Sequence, residues 1–369
     1  MKVALITILD NTNFGTYLQA LATGLVLQDL GCEVEVINYV RECMTQKGMS
    51  KAILEDRGFL RWMKRRWEIP AKIKLRDKDL EYLKKYLKLS KKYESFEELL
   101  NSPPVADIYM TGSDQVWNSY YNRGIDRTYY LDFAPKGKRR VAYAASIGMD
   151  DIPTYEVMEF TSLLRNYSEI GVRENKAKEI LAKYNICSTL VLDPTLLLNH
   201  DKWISIANSC TTTIEKNPYL LIYSVENKRE NRLIEKYAHI IAKKKGLKIC
   251  QVSYGGKRKM LKSVDVRYEK ATPDVFLLLM MNASFVLVSS FHGTAFSINF
   301  NKQFLTVIPE RFNSRVNSLL GVLGLQERVI FNDSYNVDEL KDIDYDSVNK
   351  KMTQERNASI DFLSKIVFE

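Results

Sequence analysis

The N-terminal segment alternates between apolar runs and a helix, and this pattern constrains the fold more than any other feature. Val3–Ile8 is continuously apolar, and a polar turn follows it. Tyr17–Leu30 then carries apolar side chains at helical spacing and stops at Gly31, before a second predicted strand, Glu33–Tyr39. Two strands of these lengths that are joined by one helix usually pair in parallel, with the helix as a crossover between them. The pattern predicts a doubly wound parallel α/β sheet.

The second half of the chain repeats this pattern. Strands are predicted at Tyr219–Tyr223 and Lys248–Ser253 with a helix between them, and a further strand–helix–strand unit covers Phe285–Ile308. A polar stretch at 200–217 separates the halves. We therefore expect two Rossmann-like doubly wound domains facing a cleft. The predicted bounds are 1–212 with a basic helical insertion at 51–100, 213–345, and a C-terminal helix at 346–369 that packs back on the first domain.

Polar clusters follow the predicted strands along the whole chain. Because the carboxyl ends of parallel strands share one edge of a sheet, such clusters are typical of a ligand-binding edge. Ordinary loop chemistry is the alternative for any single cluster. The clusters are Asn11–Gly15, Gly112–Gln115, Ser146–Gly148, Arg173-Glu174, Asp193-Pro194 and Ser290–Gly293.

Leu287–Ile298 is the most informative of these segments. An apolar run breaks at Ser289-Ser290, and a helix of small residues begins beside His292, one of only 3 histidines. A helix N-terminus presents backbone N–H groups and a positive dipole end, which suit a phosphate or carboxylate. A buried histidine with an ordinary structural role is the alternative.

The positive charge of the chain is concentrated in one segment. Residues 51–92 hold 15 Lys/Arg and 6 Asp/Glu, so that segment accounts for the whole net charge of +9. Trp62 and Trp67 lie among the basic residues, as at a membrane interface. A solvated helical hairpin is the alternative, and nucleic acid is not an expected partner because no recognised nucleic-acid-binding signature accompanies the charge.

Other function classes are excluded by the absence of their motifs. No GxGxxG follows the first strand, no phosphate-binding GxxxxGK[ST] loop is present, and neither GxSxG nor HExxH occurs. The 5 cysteines include no CxxC pair, so we expect reduced core cysteines and no metal site. No apolar run reaches the length of a membrane span. We expect a cytoplasmic protein, peripheral on the inner face of the membrane.

An ordered set of motifs resembles the polysaccharide pyruvyl transferase family. The most specific are Gly112–Asn118, which reads GSDQVWN, and Ser290–Ser297, which reads SFHGTAFS. Shorter matching blocks complete the series: Asn13–Gly15, Leu18–Ala20, Tyr143–Gly148, Val172–Glu174, Asp193–Leu197 and Asn313–Arg315.

The resemblance implies a GT-B-like fold and transfer of pyruvate from phosphoenolpyruvate to two hydroxyls of a sugar. The product would be a cyclic ketal on a cell-surface polysaccharide, such as an exopolysaccharide, or on its lipid-linked precursor. We expect no cofactor besides phosphoenolpyruvate as donor substrate. One position departs from the family pattern, Arg-x-His, because Ser290 stands two residues before His292. The donor's anionic groups then need another cation.

The resemblance also implies roles for individual residues. We expect His292 to act as acid or base, since histidine titrates near neutral pH. Asp114 would orient an acceptor hydroxyl or act as its base, with a helix cap as the alternative. The donor would be bound by Arg173, Ser290, Gly293, Thr294 and Arg315, with the arginines clamping its anions. The acceptor or cleft residues would be Asn13, Gly15, Gln19, Ser113, Gln115, Trp117, Ser146, Glu174 and Asp193.

Two other functions remain open at this point. A GT-B-type sugar-nucleotide glycosyltransferase would use the same fold, and a non-catalytic glycan-binding protein would keep the same cleft.

Overall fold

The computed structural model describes residues 1–10, 13–225, 228–254, 261–308 and 313–369, apart from the side chains of residues 56, 57 and 228. The chain forms two compact units. The first starts at Met1 and includes Thr16–Pro194 and Ala358–Glu369, and the second comprises Asn13–Gly15 and Thr195–Asn357.

The first unit is built on a parallel sheet, with seven strands in the described part of the chain. Every neighbouring pair is parallel, and the spatial order is β3-β2-β1-β4-β5-β6-β7. The central strands are buried over all or most of their length, as is typical of a parallel sheet with helices on both faces. The strands are β1 (Lys2–Ile6), β2 (Glu33–Tyr39), β3 (Lys88–Tyr93), β4 (Ile108–Thr111), β5 (Arg139–Ala145), β6 (Glu169–Val172) and β7 (Thr189–Leu190).

The sequence predicted that the whole segment 51–100 is helical, and the structure shows that this is wrong. Its residues 88–93 form β3, which lies at the edge of the sheet and, among the described strands, pairs with β2 alone. Four of the six side chains of this strand are Lys or Ser. An edge strand tolerates such residues, since one side of its backbone is unpaired and its faces are partly solvated.

The helices of the first unit include the insertion that carries the basic residues. Gly58, with a φ of 75°, separates two of its helices and ends the first of them. The helices are α1 (Phe14–Asp29), α2 (Gln46–Arg57), α3 (Phe59–Arg65), α4 (Glu68–Lys84), α5 (Phe96–Asn101), α6 (Ser119–Asn122), α7 (Val157–Leu164) and α8 (Asn175–Lys183). Asn13–Gly15, which include the first two residues of α1, belong to the second unit.

The second unit contains a parallel sheet of six strands among the described residues, in the order β10-β9-β8-β11-β12-β13. Its core is formed by Leu, Ile, Val and aromatic side chains of the sheet and of one long helix. The strands are β8 (Tyr219–Tyr223), β9 (Lys248–Ser253), β10 (Val266–Glu269), β11 (Phe285–Val288), β12 (Phe304–Val307) and β13 (Val329–Ile330). The helices are α9 (Pro194–Leu197), α10 (His200–Asn208), α11 (Lys228–Lys245), α12 (Pro273–Asn282), α13 (Phe291–Asn299), α14 (Ser314–Leu323) and α15 (Tyr345–Phe368).

The division between the units falls after Pro194, earlier than the predicted boundary at 212. The reason is α10, whose Trp203 is fully buried, lies 4.9 Å from the ring of Phe296 and donates to the carbonyl of Thr195. The polar stretch that suggested a boundary therefore lies inside the second unit. Helix α15 begins in the second unit, and its last residues, from Ala358, belong to the first. The predicted fold class, two Rossmann-like doubly wound domains, is confirmed.

Candidate active site

The strand order of the second sheet reverses between β8 and β11. The connection after β8 leads to β9 on one side, whereas the connection into β11 returns to the other side. In doubly wound sheets, ligands bind at the carboxyl ends of the strands at such a reversal. Ser224 follows β8 and Ser289 follows β11 there, with their Oγ atoms 3.1 Å apart. The segment that the sequence singled out, 287–298, thus lies at the expected ligand edge.

Helix α13 begins at this edge, and Ser290 caps it. The Ser290 Oγ accepts a hydrogen bond of 3.0 Å from the amide of Gly293. The Thr294 hydroxyl donates to the Ser290 carbonyl. His292 lies in the first turn with 5% of its surface exposed, and its ring meets that of Phe291 edge-on at 5.2 Å. The structure therefore brings four predicted residues together around one helix N-terminus, a position suited to anions.

The Asn13–Gly15 motif contacts this same corner within the second unit. The Asn13 Oδ1 accepts hydrogen bonds from the Gly15 amide at 3.0 Å and from the Tyr223 hydroxyl at 2.7 Å. A Cβ added to Gly15 would stand only 2.0 Å from Nδ1 of His292. Only glycine fits against the imidazole, so the motif fixes the position of the predicted acid–base residue. Asn11 and Thr12, which the sequence placed in this cluster, lie outside the described residues.

Phe14 holds the motif to the second unit by aromatic packing. Its ring stacks on Phe276 at 4.7 Å and lies 5.3 Å from the rings of both Tyr223 and Tyr254. Tyr223 is therefore both a hydrogen-bond donor to Asn13 and a packing partner of Phe14. Contacts between aromatic rings stabilise the packing beyond the contribution from burial of apolar surface. The remaining donor residue predicted in this unit, Arg315, is half-buried in the first turn of α14.

The first sheet has its own reversal, between β1 and β4. The Thr7 hydroxyl, just after β1, donates to the carbonyl of Ser113, just after β4, at 2.9 Å. Gln19 is fully buried, and its Nε2 donates to the Thr7 Oγ1 at 2.8 Å. Gln19 and Ser113, both expected in the acceptor cleft, thus belong to one hydrogen-bonded chain that ties α1 to the two central strands.

Arg173 follows β6 and lies at the centre of a buried charge cluster. Its Nη2 lies 2.9 Å from Oδ1 of Asp114, and its Nη1 lies 2.7 Å from Oδ2 of Asp193. Its Nε is 3.8 Å from the carboxylate of Glu174. The Ser113 hydroxyl donates to Asp193 at 2.8 Å. The guanidinium of Arg173 therefore joins residues that follow β4, β6 and β7. This agrees with the expectation that the polar clusters after these parallel strands meet at one edge of the sheet.

This cluster changes the interpretation of Arg173. Burial alone would lower the pKa of its guanidinium, but the carboxylates of Asp114, Asp193 and Glu174 more than offset burial, and the pKa is raised. The Arg173 side chain has no exposed surface. The sequence led us to expect a donor clamp here, whereas the structure shows a guanidinium whose two terminal nitrogens contact Asp114 and Asp193. The side chain of Asp114 is 9% exposed and is held by this contact.

Asp114 does not cap the helix that follows it. Asn118 caps α6 instead, because its Oδ1 accepts from the amide of Tyr121 at 3.1 Å. Asp114 itself has a φ of 70°, in the left-handed region that Asp tolerates better than most residues.

Glu174 and Ser146 form a second pair at the same edge. One carboxylate oxygen of Glu174 accepts from the Ser146 hydroxyl at 2.8 Å and from the amides of Ile147 and Gly148 at 3.0 and 3.2 Å. Three donors on one oxygen fix the loop after β5 against β6. The geometry gives both residues a structural role at the edge of the sheet.

Two other predicted acceptor residues lie in or beside the core. Trp117 is 1% exposed, stacks on Tyr130 at 5.9 Å and donates through Nε1 to the carbonyl of Tyr129. Gln115 is partly buried and accepts from the side-chain amide of Asn118 at 2.9 Å. Trp117 therefore packs the domain, and an acceptor role for it stays a prediction.

Sequence reasoning missed a buried ion pair at the same edge of the first sheet. Asp10 follows β1 and Arg41 follows β2, and Nη2 of Arg41 lies 2.6 Å from Oδ1 of Asp10. The Nη1 of Arg41 also donates to Oδ1 of Asn122 at 2.9 Å. Burial lowers the pKa of Arg41, but Asp10 raises it more, so the net change is upward. Both residues are polar residues directly after an apolar run, which is the signal that could have found them.

The comparisons with known proteins agree with these motifs. The model of the family described as polysaccharide pyruvyl transferase matches residues 13–310. The chain belongs to the polysaccharide pyruvyl transferase family. The match contains the Asn13–Gly15 motif, the Arg173 cluster and the His292 corner, and it confirms the resemblance found in the sequence. The protein is therefore an enzyme of the transferase class. Among curated proteins, none matches the chain.

Solved structures of low sequence identity share the fold. A Neisseria meningitidis UDP-GlcNAc 2-epimerase bound to UDP-GlcNAc is 11% identical, with a TM-score of 0.51 over 100% of this chain and 98% of that one. Staphylococcus aureus MnaA with UDP is 9% identical, with a TM-score of 0.53 over 96% and 87%. An Escherichia coli trehalose-6-phosphate structure bound with UDP-2-fluoro glucose is 9% identical, with a TM-score of 0.50 over 100% and 99%. The GT-B-like fold class is confirmed.

Two kinds of feature are absent from the described residues. Among the helices in the described ranges, none combines the length and apolar character that crossing a membrane requires. The same residues contain no group of three or more His, Cys, Asp or Glu side chains placed to hold a metal ion.

Proposed function

We propose that the enzyme transfers pyruvate from phosphoenolpyruvate to two hydroxyls of a saccharide. The observation that carries this proposal is the His292 corner, where an imidazole lies in the first turn of α13 against Gly15. The reaction protonates the methylene carbon of phosphoenolpyruvate, and one sugar hydroxyl adds to the neighbouring carbon. Phosphate leaves as the second hydroxyl adds, so the products are a cyclic ketal and inorganic phosphate.

The second unit would bind the donor. The α13 N-terminus offers its positive dipole end to the phosphate or carboxylate. Because Ser290 is a neutral helix cap, the full positive charge would come from Arg315 in the first turn of α14. His292 would transfer the proton, because its imidazole is the acid–base side chain of this corner.

The first unit would bind the acceptor. Asp114 is the candidate to orient a sugar hydroxyl or remove its proton, and part of its side chain is exposed. Arg173 would act as a positioning residue, since it holds Asp114 and Asp193 in place. In this proposal Arg173 has no direct contact with the donor.

A test of the donor and the reaction uses the purified full-length chain. Incubation with phosphoenolpyruvate and an extract of the host's surface saccharide should release phosphate, and the saccharide should gain the mass of pyruvate less water. His292→Ala should abolish both signals while its melting temperature stays near the wild-type value. His239→Ala, at an exposed position on α11, is the matched control and should keep full activity.

Ligand-induced stabilisation separates the proposal from the glycosyltransferase alternative. A ligand that binds the native state raises the melting temperature by mass action. We expect a rise with phosphoenolpyruvate and none with UDP-sugars. A rise with UDP-sugars alone would reject the donor and favour the sugar-nucleotide alternative.

We also propose that the enzyme docks on anionic lipid, where a lipid-linked acceptor would be presented. Helix α3 and the two residues after it carry large exposed apolar side chains: Phe59 is 59% exposed, Leu60 75% and Trp67 73%. The Arg66 guanidinium lies over the rings of Trp62 and Trp67. Each cation near an anionic surface contributes about 1 kcal/mol. Exposed aromatics beside cations suit the lipid interface.

Vesicle cosedimentation tests this docking. Binding should require phosphatidylglycerol, weaken as salt rises, and fall when Arg61, Lys64 and Arg66 are all changed to Ser. The matched control changes Lys84, Lys85 and Lys88 to Ser, which removes the same charge from another exposed part of the segment. Equal loss in the two triple variants would show that only net charge matters and that α3 is not a docking surface.

A further inference from the structure

A cavity of about 340 Å³ lies within the first unit, between the helices of the basic insertion and the end of β1. One face of α4 and the end of α3 form one wall, where Arg65, Ile69, Lys72 and Arg76 recur at helical spacing. Asp10, which follows β1, lies at its base. The cavity shares no lining residue with the His292 corner.

The cavity is electropositive. Four cationic side chains line it, Arg65, Lys72, Arg76 and Arg123, against the carboxylates of Asp10 and Glu68. Both carboxylates have close cationic partners: Asp10 is 2.6 Å from Arg41, which is not a lining residue, and Glu68 is 3.2 Å from Arg65.

Arg76 supplies a buried cation to this wall. It is 5% exposed, and its contacts with the exposed Asp77 and with the carbonyl of Met44 are long, at 3.4 Å each. Lys72 is one helical turn away and exposed. A buried guanidinium and an ammonium on the same helix face suit a phosphate group, which accepts several charged hydrogen bonds at once.

Apolar side chains from α2, α4 and the segment before α2 also line the cavity. They are Met44, Met49, Ile53, Ile69 and Ile73. Methionine side chains adapt to apolar ligands of varied shape. A ligand that satisfies both kinds of lining carries a phosphate and a hydrocarbon portion.

We infer that this cavity is a second ligand site, which binds a phosphate attached to an apolar chain. The phosphate contacts Lys72 and Arg76, and the chain packs on the methionines and isoleucines. The inference rests on the cavity alone and does not depend on the transfer reaction, so the two fail or succeed separately. The same chemistry is found in a membrane lipid headgroup and in a soluble phosphate ester.

Isothermal titration of the full chain with octyl phosphate tests the site. We expect one saturable site that binds octyl phosphate more tightly than inorganic phosphate or octyl glucoside, which lack the chain and the charge respectively. Lys72→Gln should weaken octyl phosphate binding about fivefold or more, through loss of a charged hydrogen bond. Lys74→Gln, an equal charge change at an exposed position outside the cavity, is the matched control and should bind normally.

Vesicles of phosphatidic acid form the second arm and identify the source of the ligand. If both octyl phosphate and the vesicles bind in a Lys72-dependent way, the site is supported and its ligand is a membrane lipid. If only octyl phosphate binds in this way, the site is supported and its ligand is a soluble phosphate ester. Binding that is the same for Lys72→Gln and Lys74→Gln overturns the inference. Equal affinity for octyl glucoside or for inorganic phosphate also overturns it. Arg76→Gln is a further variant, but its buried position risks misfolding, so the decision rests on Lys72.

Discussion

Replacing Gly15 with alanine would displace the imidazole of His292. The added Cβ would lie 2.0 Å from Nδ1, 2.3 Å from Cγ and 2.7 Å from Cβ of His292. Ordinary contact begins near 3.4 Å, so relief of the Nδ1 overlap alone requires the ring, or the backbone of Gly15, to retreat by 1.4 Å, the difference between 3.4 and 2.0 Å.

A shift of this size is large on the scale of catalysis. Misplacement of a reacting group by about 1 Å costs roughly 100-fold in rate. We therefore expect Gly15→Ala to lower kcat for phosphate release by about 100-fold, equivalent to about 2.7 kcal/mol in the activation barrier. The loss should appear in kcat more than in KM, because His292 is proposed to move a proton and not to hold the donor.

The fold should survive the substitution. Gly15 lies in the first turn of α1, where alanine favours the helix by up to about 1 kcal/mol, against an overpacking cost of about 1–3 kcal/mol. The melting temperature should thus fall by only a few degrees. Gly321→Ala is the matched control, since a Cβ on this helical glycine would meet only Gln326, at 3.9 Å. Wild-type kcat in Gly15→Ala would refute a chemical role for His292 in this position.

Three further substitutions test other parts of the two units. Arg173→Lys should lower the free energy of unfolding by about 3 kcal/mol in urea, because an ammonium cannot bridge Asp114 and Asp193 as the guanidinium does; unchanged stability with a raised donor KM would restore the clamp role. Ser290→Ala should cost about 1 kcal/mol through loss of the α13 cap, again in urea, and an unchanged midpoint would show that the cap contributes nothing. Arg315→Gln should raise the KM for phosphoenolpyruvate at least tenfold with little change in melting temperature, and an unchanged KM would remove Arg315 from donor binding.

Central strands could be predicted from the sequence, whereas three of the four edge strands among the described residues were missed. The predicted bounds of β2, β8 and β9 coincide with those in the structure, because each carries several β-branched or other apolar side chains and follows a turn. The three missed strands, β3, β10 and β13, each lie at the edge of a sheet. An edge strand buries less surface and is often short or charged, so it carries little apolar signal. The first domain boundary was missed because α10, which packs one buried face on the second unit, precedes the polar stretch at 209–217.

The site shows a similar division between what a sequence contains and what only a fold reveals. The polar clusters at strand ends were visible, since each interrupts an apolar run. The partners of a charged residue were not visible, because they come from distant parts of the chain. Arg173 and Asp114 are 59 positions apart, yet they form an ion pair. The contact between Gly15 and His292 is likewise invisible until the chain is folded.

Ser290 and Arg173 together determine where the donor's charge has to be balanced. Phosphoenolpyruvate carries both a carboxylate and a phosphate, and a helix N-terminus supplies only about half a positive charge. The family's Arg-x-His pattern would place a guanidinium at the start of α13. Here the position holds Ser290, whose Oγ accepts a hydrogen bond from the amide of Gly293. Arg173 cannot substitute without separating from Asp114 and Asp193, which would leave two buried carboxylates without their cation. Our proposal therefore assigns the donor's charge to Arg315, which belongs to the last motif of the series found in the sequence, and predicts that donor specificity depends on α14 as much as on the histidine helix.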